Sequence, residues 1–247
     1  MSCSQIPDWF LRHRLPVIDL GSRVWQDARA ELLPSGYAPA ICLRRLEKAG
    51  RVRRLGRGLY VVVDPVRETP TAAIASALFR EADHYVTTDA ALTLAGLIDQ
   101  PLPTITVVLP TVRHRQLGLG HAVVRAVALA PGKFAKADTY ETTIEGFRVR
   151  LATREQAVTD ALAEPHWMTH ASLLPEVLVA FSEDELERTA RGALARSTAA
   201  AQRLGYLIED AGATVPPSLV NLQPTSVVEL RPRQRHGTFS TRWRVYG

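Results

Sequence analysis

The strongest constraint on this chain is a run of positive charge at residues 44–57. The run contains one anion, Glu47, and seven cations: Arg44, Arg45, Lys48, Arg51, Arg53, Arg54 and Arg57. Its net charge of +6 exceeds the +5 of the whole 247-residue chain, so the other 233 residues together carry about −1. Residues 58–63, Gly-Leu-Tyr-Val-Val-Val, follow directly and are typical of a β-strand. A basic helix, a basic turn and an apolar strand in this order predict a winged helix-turn-helix.

Two helices are predicted before the basic turn. The first spans residues 21–33, where Ser22 is suited to cap it and the Pro-Ser-Gly sequence at 34–36 ends it. The second spans residues 38–50, where Pro39 suits the first helical position and Gly50 the end. With 3.6 residues per turn, its apolar side consists of Cys42, Leu43, Leu46 and Ala49. Its other side consists of Tyr37, Ile41, Arg44 and Lys48, with Arg45 at the edge.

The basic hairpin is predicted to be the wing, with strands at residues 52–54 and 59–63 around a glycine-bearing turn. A helix fits the major groove of DNA, where arginine bonds to guanine and an aliphatic side chain meets a thymine methyl group. We therefore expect double-stranded DNA to be contacted by Tyr37, Ile41, Arg44, Arg45, Lys48, Arg51, Arg53, Arg54 and Arg57. A solvated amphipathic helix is the alternative, but such helices usually mix charges of both signs. No aromatic platform for single strands is evident, which favours DNA over RNA.

A second group of cations lies near the C-terminus. It consists of Arg231, Arg233, Arg235, Arg242 and Arg244, with no acidic residue between them. Phe239 and Trp243 are interleaved with these arginines. Three interpretations stay open: a secondary DNA contact, a patch for an acidic partner, and a solvated chain terminus.

No residue pattern predicts a catalytic residue, a metal site or a cofactor, so we do not expect an enzyme. His166 and His170 have the spacing of paired zinc ligands on a helix, but glutamate does not follow the first histidine and no third ligand is evident. The acidic group Asp138, Glu141 and Glu145 lacks the following lysine on a strand that would indicate a Mg²⁺-dependent nuclease. The chain also has no Walker A sequence and no Gly-x-Ser-x-Gly elbow.

Composition and cysteine content favour a packed protein of the cell interior. Hydrophobic residues make up 46% of the chain, which is ample for a core. The two cysteines, Cys3 and Cys42, indicate no disulfide framework, and Cys42 is expected to be a free thiol that acts as a small hydrophobe. The N-terminus lacks the apolar core of a signal peptide, and no apolar run approaches the roughly 18 residues of a membrane helix. We expect a soluble cytoplasmic protein with no membrane segment.

A boundary is expected after the winged helix, where Asp64, Pro65 and Pro70 interrupt the pattern. Later helices are predicted at residues 71–79, 88–97 and 154–163, and residues 171–209 are predicted to be mostly helical. Later strands are predicted at residues 104–109, 123–129, 144–151 and 238–246. Thr153 is expected to cap the helix that follows it. The predicted fold class is α+β, with a winged helix-turn-helix at residues 1–65 and a mixed α/β domain with a helical segment at residues 66–247.

Five segments spread over some 200 residues occur in an order found in one known family. They are Arg-Val-Arg-Arg-Leu-Gly-Arg-Gly-Leu-Tyr at 51–60, Tyr-Val-Thr-Thr-Asp-Ala-Ala-Leu-Thr-Leu-Ala-Gly-Leu at 85–97, residues 144–149 leading into 153–162, Ala-Gln-Arg-Leu-Gly-Tyr-Leu at 201–207, and Arg-Trp-Arg-Val at 242–245. In these segments the chain resembles the AbiEi antitoxins of type IV toxin–antitoxin systems. The basic segment recurs in unrelated winged-helix proteins, so the later segments select the family.

The resemblance implies a two-domain transcriptional repressor and antitoxin. Its N-terminal domain would bind inverted repeats in its own promoter, and its C-terminal domain would oppose a nucleotidyltransferase toxin, usually without a stable complex. The residues themselves support only the DNA-binding half of that statement. Two alternatives stay open: a ligand-responsive transcription factor whose C-terminal domain senses a metabolite, and a DNA-processing enzyme.

Overall fold

The computed structural model describes residues 3–33, 38–111, 115–231 and 237–247. It confirms the α+β class, because helices alternate with sheets that contain both antiparallel and parallel strand pairs. The chain divides into two compact units: the first consists of Met1–Val86, Val107–Ala128 and Glu141–Arg150, and the second of Thr87–Thr106, Leu129–Tyr140 and Leu151–Gly247. A domain boundary at residue 65 stays a prediction, since the first unit has residues on both sides of it. Within the described residues, no helix combines the length and apolar character needed to cross a bilayer.

The first unit begins with six elements: α1 (Gln5–Arg12), β1 (Val17–Asp19), α2 (Arg23–Leu32), α3 (Pro39–Lys48), β2 (Val52–Gly56) and β3 (Leu59–Val62). The two predicted helices correspond to α2 and α3. The Ser22 side chain accepts a hydrogen bond from the Trp25 backbone nitrogen at 3.1 Å, so the predicted cap of α2 is confirmed. α3 begins at Pro39, where a helix needs no backbone N–H. The sequence patterns do not predict α1 or β1.

β1, β2 and β3 form an antiparallel sheet in the order β1-β3-β2. Val61 of β3 pairs with Val17 on one side and with Arg53 on the other, so the predicted hairpin is present. A bulge between Arg54 and Gly56 interrupts the pairing of β2 with β3. The bulge shifts the register by one residue next to the basic turn, so that Leu55 is the extra residue and Gly56 pairs with Leu59.

The core beneath α3 contains a disulfide bond. Phe10, Trp25 and Leu43 are buried there. Cys42 lies among them and is joined to Cys3, with a Cα–Cα distance of 5.6 Å. The expectation that Cys42 is a free thiol is therefore wrong. The disulfide forms because α1 packs into this core and brings Cys3 next to Cys42, although the two cysteines are 39 residues apart in sequence.

A six-stranded sheet follows along the chain. Its strands are β4 (Tyr85–Thr87), β5 (Thr104–Leu109), β6 (Arg115–Gly118), β7 (Val123–Ala128), β8 (Thr139–Ile144) and β9 (Phe147–Ala152), in the order β6-β7-β5-β4-β9-β8. The helices of this part of the chain are α4 (Thr71–Ala77), α5 (Asp89–Leu94) and α6 (Pro131–Phe134). The helices predicted at 71–79 and 88–97 correspond to α4 and α5, and the strands predicted at 104–109 and 123–129 to β5 and β7.

Residues 139–152 form two strands, where one strand is predicted at residues 144–151. Glu145 and Gly146 lie between β8 and β9 and have φ angles of 48° and 88°. Both angles are in the left-handed region, which glycine adopts readily and which a strand cannot continue through. The start of the predicted strand was therefore wrong by three residues, because the turn was read as part of it.

The later part of the second unit is mainly helical. Its elements are α7 (Arg154–Ala163), α8 (Leu174–Val179), α9 (Glu183–Arg196), α10 (Thr198–Asp210), α11 (Pro217–Val220), β10 (Val228–Glu229), β11 (Phe239–Ser240) and β12 (Val245–Tyr246). The Thr153 side chain accepts a hydrogen bond from the Gln156 backbone nitrogen at 3.3 Å, so the predicted cap of α7 is confirmed. The last three strands form a small sheet in the order β10-β12-β11, and the predicted strand at 238–246 is two short strands.

Trp243 packs the C-terminal segment against α10. Its side chain is fully buried, and its Nε1 donates a hydrogen bond to Glu209 Oε2 at 2.7 Å. Its backbone carbonyl accepts a hydrogen bond from Gln202 Nε2 at 2.8 Å. Gly205 faces the indole ring so closely that a Cβ atom at this position would overlap it. Residues 201–207 and 242–245, which both belong to the resemblance described above, therefore pack against each other.

Candidate nucleic-acid interface

α3 has the two-sided surface that its sequence predicts. Its buried side consists of Cys42, Leu43 and Leu46. Its exposed side carries Ile41, Arg44, Arg45 and Lys48. Ile41 is apolar and 54% exposed, so its side chain is accessible to a partner. Tyr37, which we expect next to these residues, lies outside the described part of the chain.

The cations of α3 are not neutralised within the protein. Among the described residues, Arg44, Arg45 and Lys48 take part in no salt bridge. Glu47 lies on the same helix and is exposed. Three positive charges within five residues of one helix create a positive potential that a phosphate backbone would offset.

The β2–β3 hairpin carries three more exposed cations, Arg53, Arg54 and Arg57. Arg53 and Arg54 are adjacent on β2, so their side chains leave opposite faces of the strand. The Nε atom of Arg54 donates a hydrogen bond to the Gly56 carbonyl at 3.2 Å, which holds this guanidinium near the turn. The Arg53 guanidinium lies against the turn between β6 and β7, because a Cβ atom on Gly120 would be 3.1 Å from Arg53 Nη1. Arg54 and Arg57 are thus the cations that border the turn between β2 and β3.

Arg51 differs from the other cations of residues 44–57. Its Nη2 atom lies 2.6 Å from Asp8 Oδ1, so its charge is paired with a carboxylate of α1. The side chain is also about two-thirds buried. A role for Arg51 on DNA stays a prediction, but the ion pair gives it a structural role between α1 and the start of β2.

The C-terminal arginines do not form a uniform surface in the described residues. Arg242 lies 2.6 Å from Glu209, and its guanidinium is 4.8 Å from the centre of the Trp243 ring. Arg231 and Arg244 are half-buried. The remaining two arginines of this group, Arg233 and Arg235, lie outside the described residues. The ion pair of Arg242 weakens the case for a phosphate contact at that position.

The two histidines with the spacing of zinc ligands do not lie on one helix. His166 belongs to the short 3₁₀ helix Pro165–Trp167, and His170 follows this helix. The Nδ1 atom of His170 lies 2.9 Å from the buried carboxylate of Asp89, which also accepts hydrogen bonds from the backbone nitrogens of Thr169 and His170. The described residues contain no group of three or more His, Cys, Asp or Glu side chains that could hold a metal ion.

The acidic residues considered for a nuclease are spread along β8 and its ends. Asp138 precedes β8 and accepts a hydrogen bond from the Thr153 hydroxyl at 3.2 Å. Glu141 lies within the strand, and Glu145 follows it in the turn to β9. Asp138 therefore stabilises the start of α7 together with its cap.

A cavity of about 490 Å³ in the first unit is lined by a second set of cations, which the sequence patterns do not predict. They are Arg14, Arg80, Arg148 and Arg150. Arg14 lies between α1 and β1, Arg80 follows α4, and the other two are on β9. Because these positions are far apart in sequence, no charge run reveals them. The Arg-Val-Arg alternation of β9 is the one local signal, since it places two arginines on one face of a strand.

His84 lines the same cavity, and its surroundings favour the neutral imidazole. Its Nδ1 atom lies 2.9 Å from the Ala82 carbonyl and therefore donates to it, so Nε2 accepts a hydrogen bond from the Ser76 hydroxyl at 2.7 Å. Burial, and to a lesser extent the positive charge of Arg150, lower the pKa of His84 below its usual range, although the bond to Ala82 opposes them. The positive charge of the cavity is therefore carried by its arginines.

Comparison with known proteins gives a result at the level of the fold. No protein-family model matches this chain, and no curated protein matches it. Among solved structures, the chain is similar to the crystal structure of the RV2827C protein from Mycobacterium tuberculosis, with a TM-score of 0.65 and 15% sequence identity. The match covers 98% of this chain and 90% of that chain. The two proteins therefore share a fold over almost their whole lengths.

Proposed function

We propose that this protein is a transcriptional autorepressor that binds double-stranded DNA through an N-terminal winged helix-turn-helix. The observation that carries the proposal is the surface of exposed cations on α3 and on the β2–β3 hairpin, which we call the basic surface. It consists of Arg44, Arg45, Lys48, Arg53, Arg54 and Arg57. The element order supports it too, because α3 follows α2 and directly precedes a hairpin, as a recognition helix precedes a wing.

The dimensions of α3 suit a major groove. Ten residues give a helix about 15 Å long, and its side chains span a width that the groove accepts. Ile41 and Arg44 are three residues apart and share a side of the helix. We assign base contacts to these two residues, since arginine bonds bidentately to guanine and an aliphatic side chain packs on a thymine methyl group. Arg45, Lys48 and the hairpin cations are assigned to phosphates.

The antitoxin half of the proposal is based on the resemblance to the AbiEi family. We infer that the protein binds inverted repeats in its own promoter and opposes a nucleotidyltransferase toxin in the cytoplasm, without a stable complex and without catalysis. Two of the resembling segments, residues 201–207 and 242–245, meet in the buried contact between Gly205 and Trp243. This contact is structural, so we look for the surface that opposes the toxin among residues outside it.

A footprint of the full-length protein on its own upstream region tests the DNA-binding half. We expect protection of an inverted repeat, and an affinity that falls steeply as salt is raised. Equal affinity for the upstream region and for random DNA would argue against an autorepressor. Coexpression with the neighbouring nucleotidyltransferase, if its gene is present, tests the antitoxin half through rescue of growth.

A ligand-responsive transcription factor is the second candidate, and the arginine-lined cavity favours it. That cavity includes residues from both predicted domains, since Arg14 precedes residue 65 and Arg148 follows it. A small molecule bound there would contact both parts of the first unit. A change in operator affinity on adding a cellular small-molecule extract, with no toxin gene nearby, would favour this candidate over the antitoxin.

A further inference from the structure

We propose that the cavity lined by Arg14, Arg80, Arg148 and Arg150 is a binding site for a small phosphorylated ligand. The site is separate from the basic surface, because none of its residues belongs to α3 or to the β2–β3 hairpin. The inference does not rest on DNA binding, and it holds or fails independently of that proposal.

The charge of the cavity is the first argument. Its lining contains four arginines and two acidic residues, Asp83 and Glu141, which leaves a formal charge of +2. Among the described residues, the guanidinium groups of Arg14, Arg80 and Arg148 take part in no salt bridge. A lining with a net positive charge attracts an anion, and a dianion would match the formal charge of +2.

The placement of the arginines by the backbone is the second argument. Arg148 and Arg150 are two residues apart on β9 and therefore lie on one face of the strand, and all four residues 147–150 line the cavity. Arg14 has a φ angle of 55°, which is unfavourable for a residue with a side chain. A strained backbone of this kind often marks a side chain whose position matters for function.

Gly146 permits the position of Arg14. A Cβ atom on Gly146 would lie 3.1 Å from both Cζ and Nε of Arg14, so the guanidinium rests directly on the turn between β8 and β9. The same turn leads into Arg148 on β9. The strain at Arg14 and the glycine at 146 thus bring two arginines from distant parts of the sequence to one wall of the cavity.

The shape and walls of the cavity select the class of ligand. A volume of about 490 Å³ is within the usual range for small-molecule sites and is too small to enclose a DNA duplex. Ala73 and Ala77 lie one helical turn apart on α4 and, with Leu15 and Pro16, provide small and apolar wall. Guanidinium groups bind phosphate oxygens bidentately, so the arginines would hold the phosphate and the apolar wall would contact the organic part.

Isothermal titration calorimetry of the full-length protein, without DNA and at constant ionic strength, tests the proposal. Inorganic pyrophosphate and phosphate are the probes, and sodium chloride is the ionic control. We expect one pyrophosphate site per chain. Arg148→Ala should weaken its binding about tenfold or more, because a charge-assisted pair of hydrogen bonds is lost. Arg80→Ala, at another exposed position of the lining, should have a similar effect.

Arg67→Ala is the matched control, since it removes an exposed arginine of the same unit that does not line the cavity. It should leave pyrophosphate binding unchanged. Absence of pyrophosphate and phosphate binding at millimolar concentration would overturn the proposal, and so would equal losses in Arg148→Ala and Arg67→Ala. The DNA affinity of Arg148→Ala should stay within about twofold of that of the unsubstituted protein, as expected for a residue that does not contact the phosphates of DNA. A parallel loss of DNA and pyrophosphate affinity would instead show that the cavity contacts DNA. The proposal of a ligand site separate from the basic surface would then be wrong.

Discussion

Substitution of Gly205 with alanine places two known effects in opposition. Within a helix such as α10, glycine to alanine normally stabilises a protein by about 1 kcal/mol. At this position the new methyl group would overlap the ring of Trp243. The ring has little freedom to move, because it is fully buried and its Nε1 is bonded to Glu209. Overpacking of this kind costs about 1–3 kcal/mol or more, so we expect the steric effect to exceed the gain in helix propensity.

The expected net result for Gly205→Ala is a loss of about 1–2 kcal/mol in the free energy of unfolding. Urea denaturation followed by circular dichroism measures it. For a chain of this size the midpoint should fall by roughly 0.5 M, with an unchanged dependence of free energy on urea. If the dependence of the unfolding free energy on urea concentration is unchanged, the substitution has altered a native contact and not the compactness of the unfolded chain.

Gly132→Ala is the control for the substitution itself. Gly132 lies in α6, and a Cβ atom there would meet nothing within 4 Å, so this variant should be as stable as the parent or slightly more so. A smaller ring, as in Trp243→Phe, should make Gly205→Ala less costly, which appears as a coupling energy of about 1 kcal/mol in the double-mutant cycle. Unaltered or increased stability of Gly205→Ala would refute the reasoning, since the ring would then not be fixed against α10.

The other predictions concern DNA binding and pH. Replacing Arg53, Arg54 and Arg57 together with alanine should weaken binding to operator and random DNA alike. It should also reduce the salt slope, which is the change in log binding constant per unit of log salt concentration, by up to about 3. Fluorescence anisotropy from about 50 to 200 mM salt measures both effects. An unchanged slope would exclude these residues from the phosphate backbone. Arg44→Ala should cost about 1–3 kcal/mol on the operator and much less on random DNA, and equal losses would make it a phosphate contact. The pKa of His84 is lowered in the folded protein, so its contribution to stability is present above its ordinary value near 6.5 and is lost as pH falls toward the folded value. The free energy of unfolding should therefore fall less between pH 7.5 and 5 in His84→Gln than in the parent, and parallel profiles would show that His84 does not cause the loss.

Elements with local signals were the ones that the sequence predicted well. The cap at Ser22 and the proline at position 39 fix where α2 and α3 begin, and both are properties of a few neighbouring residues. The same holds for the cap of α7 at Thr153. The apolar and basic sides of α3 follow from its periodicity alone.

Features that depend on distant residues were missed. The disulfide between Cys3 and Cys42 requires α1 to pack into the core beneath α3, and two isolated cysteines give no sign of that. The cavity arginines come from three separate segments of the chain. The turn at Gly146 is local, yet it was absorbed into a predicted strand because the apolar pattern resumes directly after it. Tertiary packing decides the disulfide and the cavity, and residue patterns report such packing only weakly.

The ion pairs of Arg51 and Arg242 change what the two basic runs can contribute to DNA binding. In sequence, both residues belong to rows of like charge, but each faces a carboxylate in the fold, from Asp8 and Glu209. A cation that is already paired releases no additional counterion from DNA unless its own pair breaks first. The five cations of the basic surface that are assigned to phosphates then predict a salt slope of about −4.5, and all six, with Arg44 also on a phosphate, predict about −5. All seven cations of residues 44–57 predict about −6, and adding the five C-terminal arginines predicts about −11. A slope near −5 would agree with the basic surface acting alone. A slope near −11 would mean that the C-terminal arginines also lie on phosphates, and that Arg242 exchanges Glu209 for the DNA backbone.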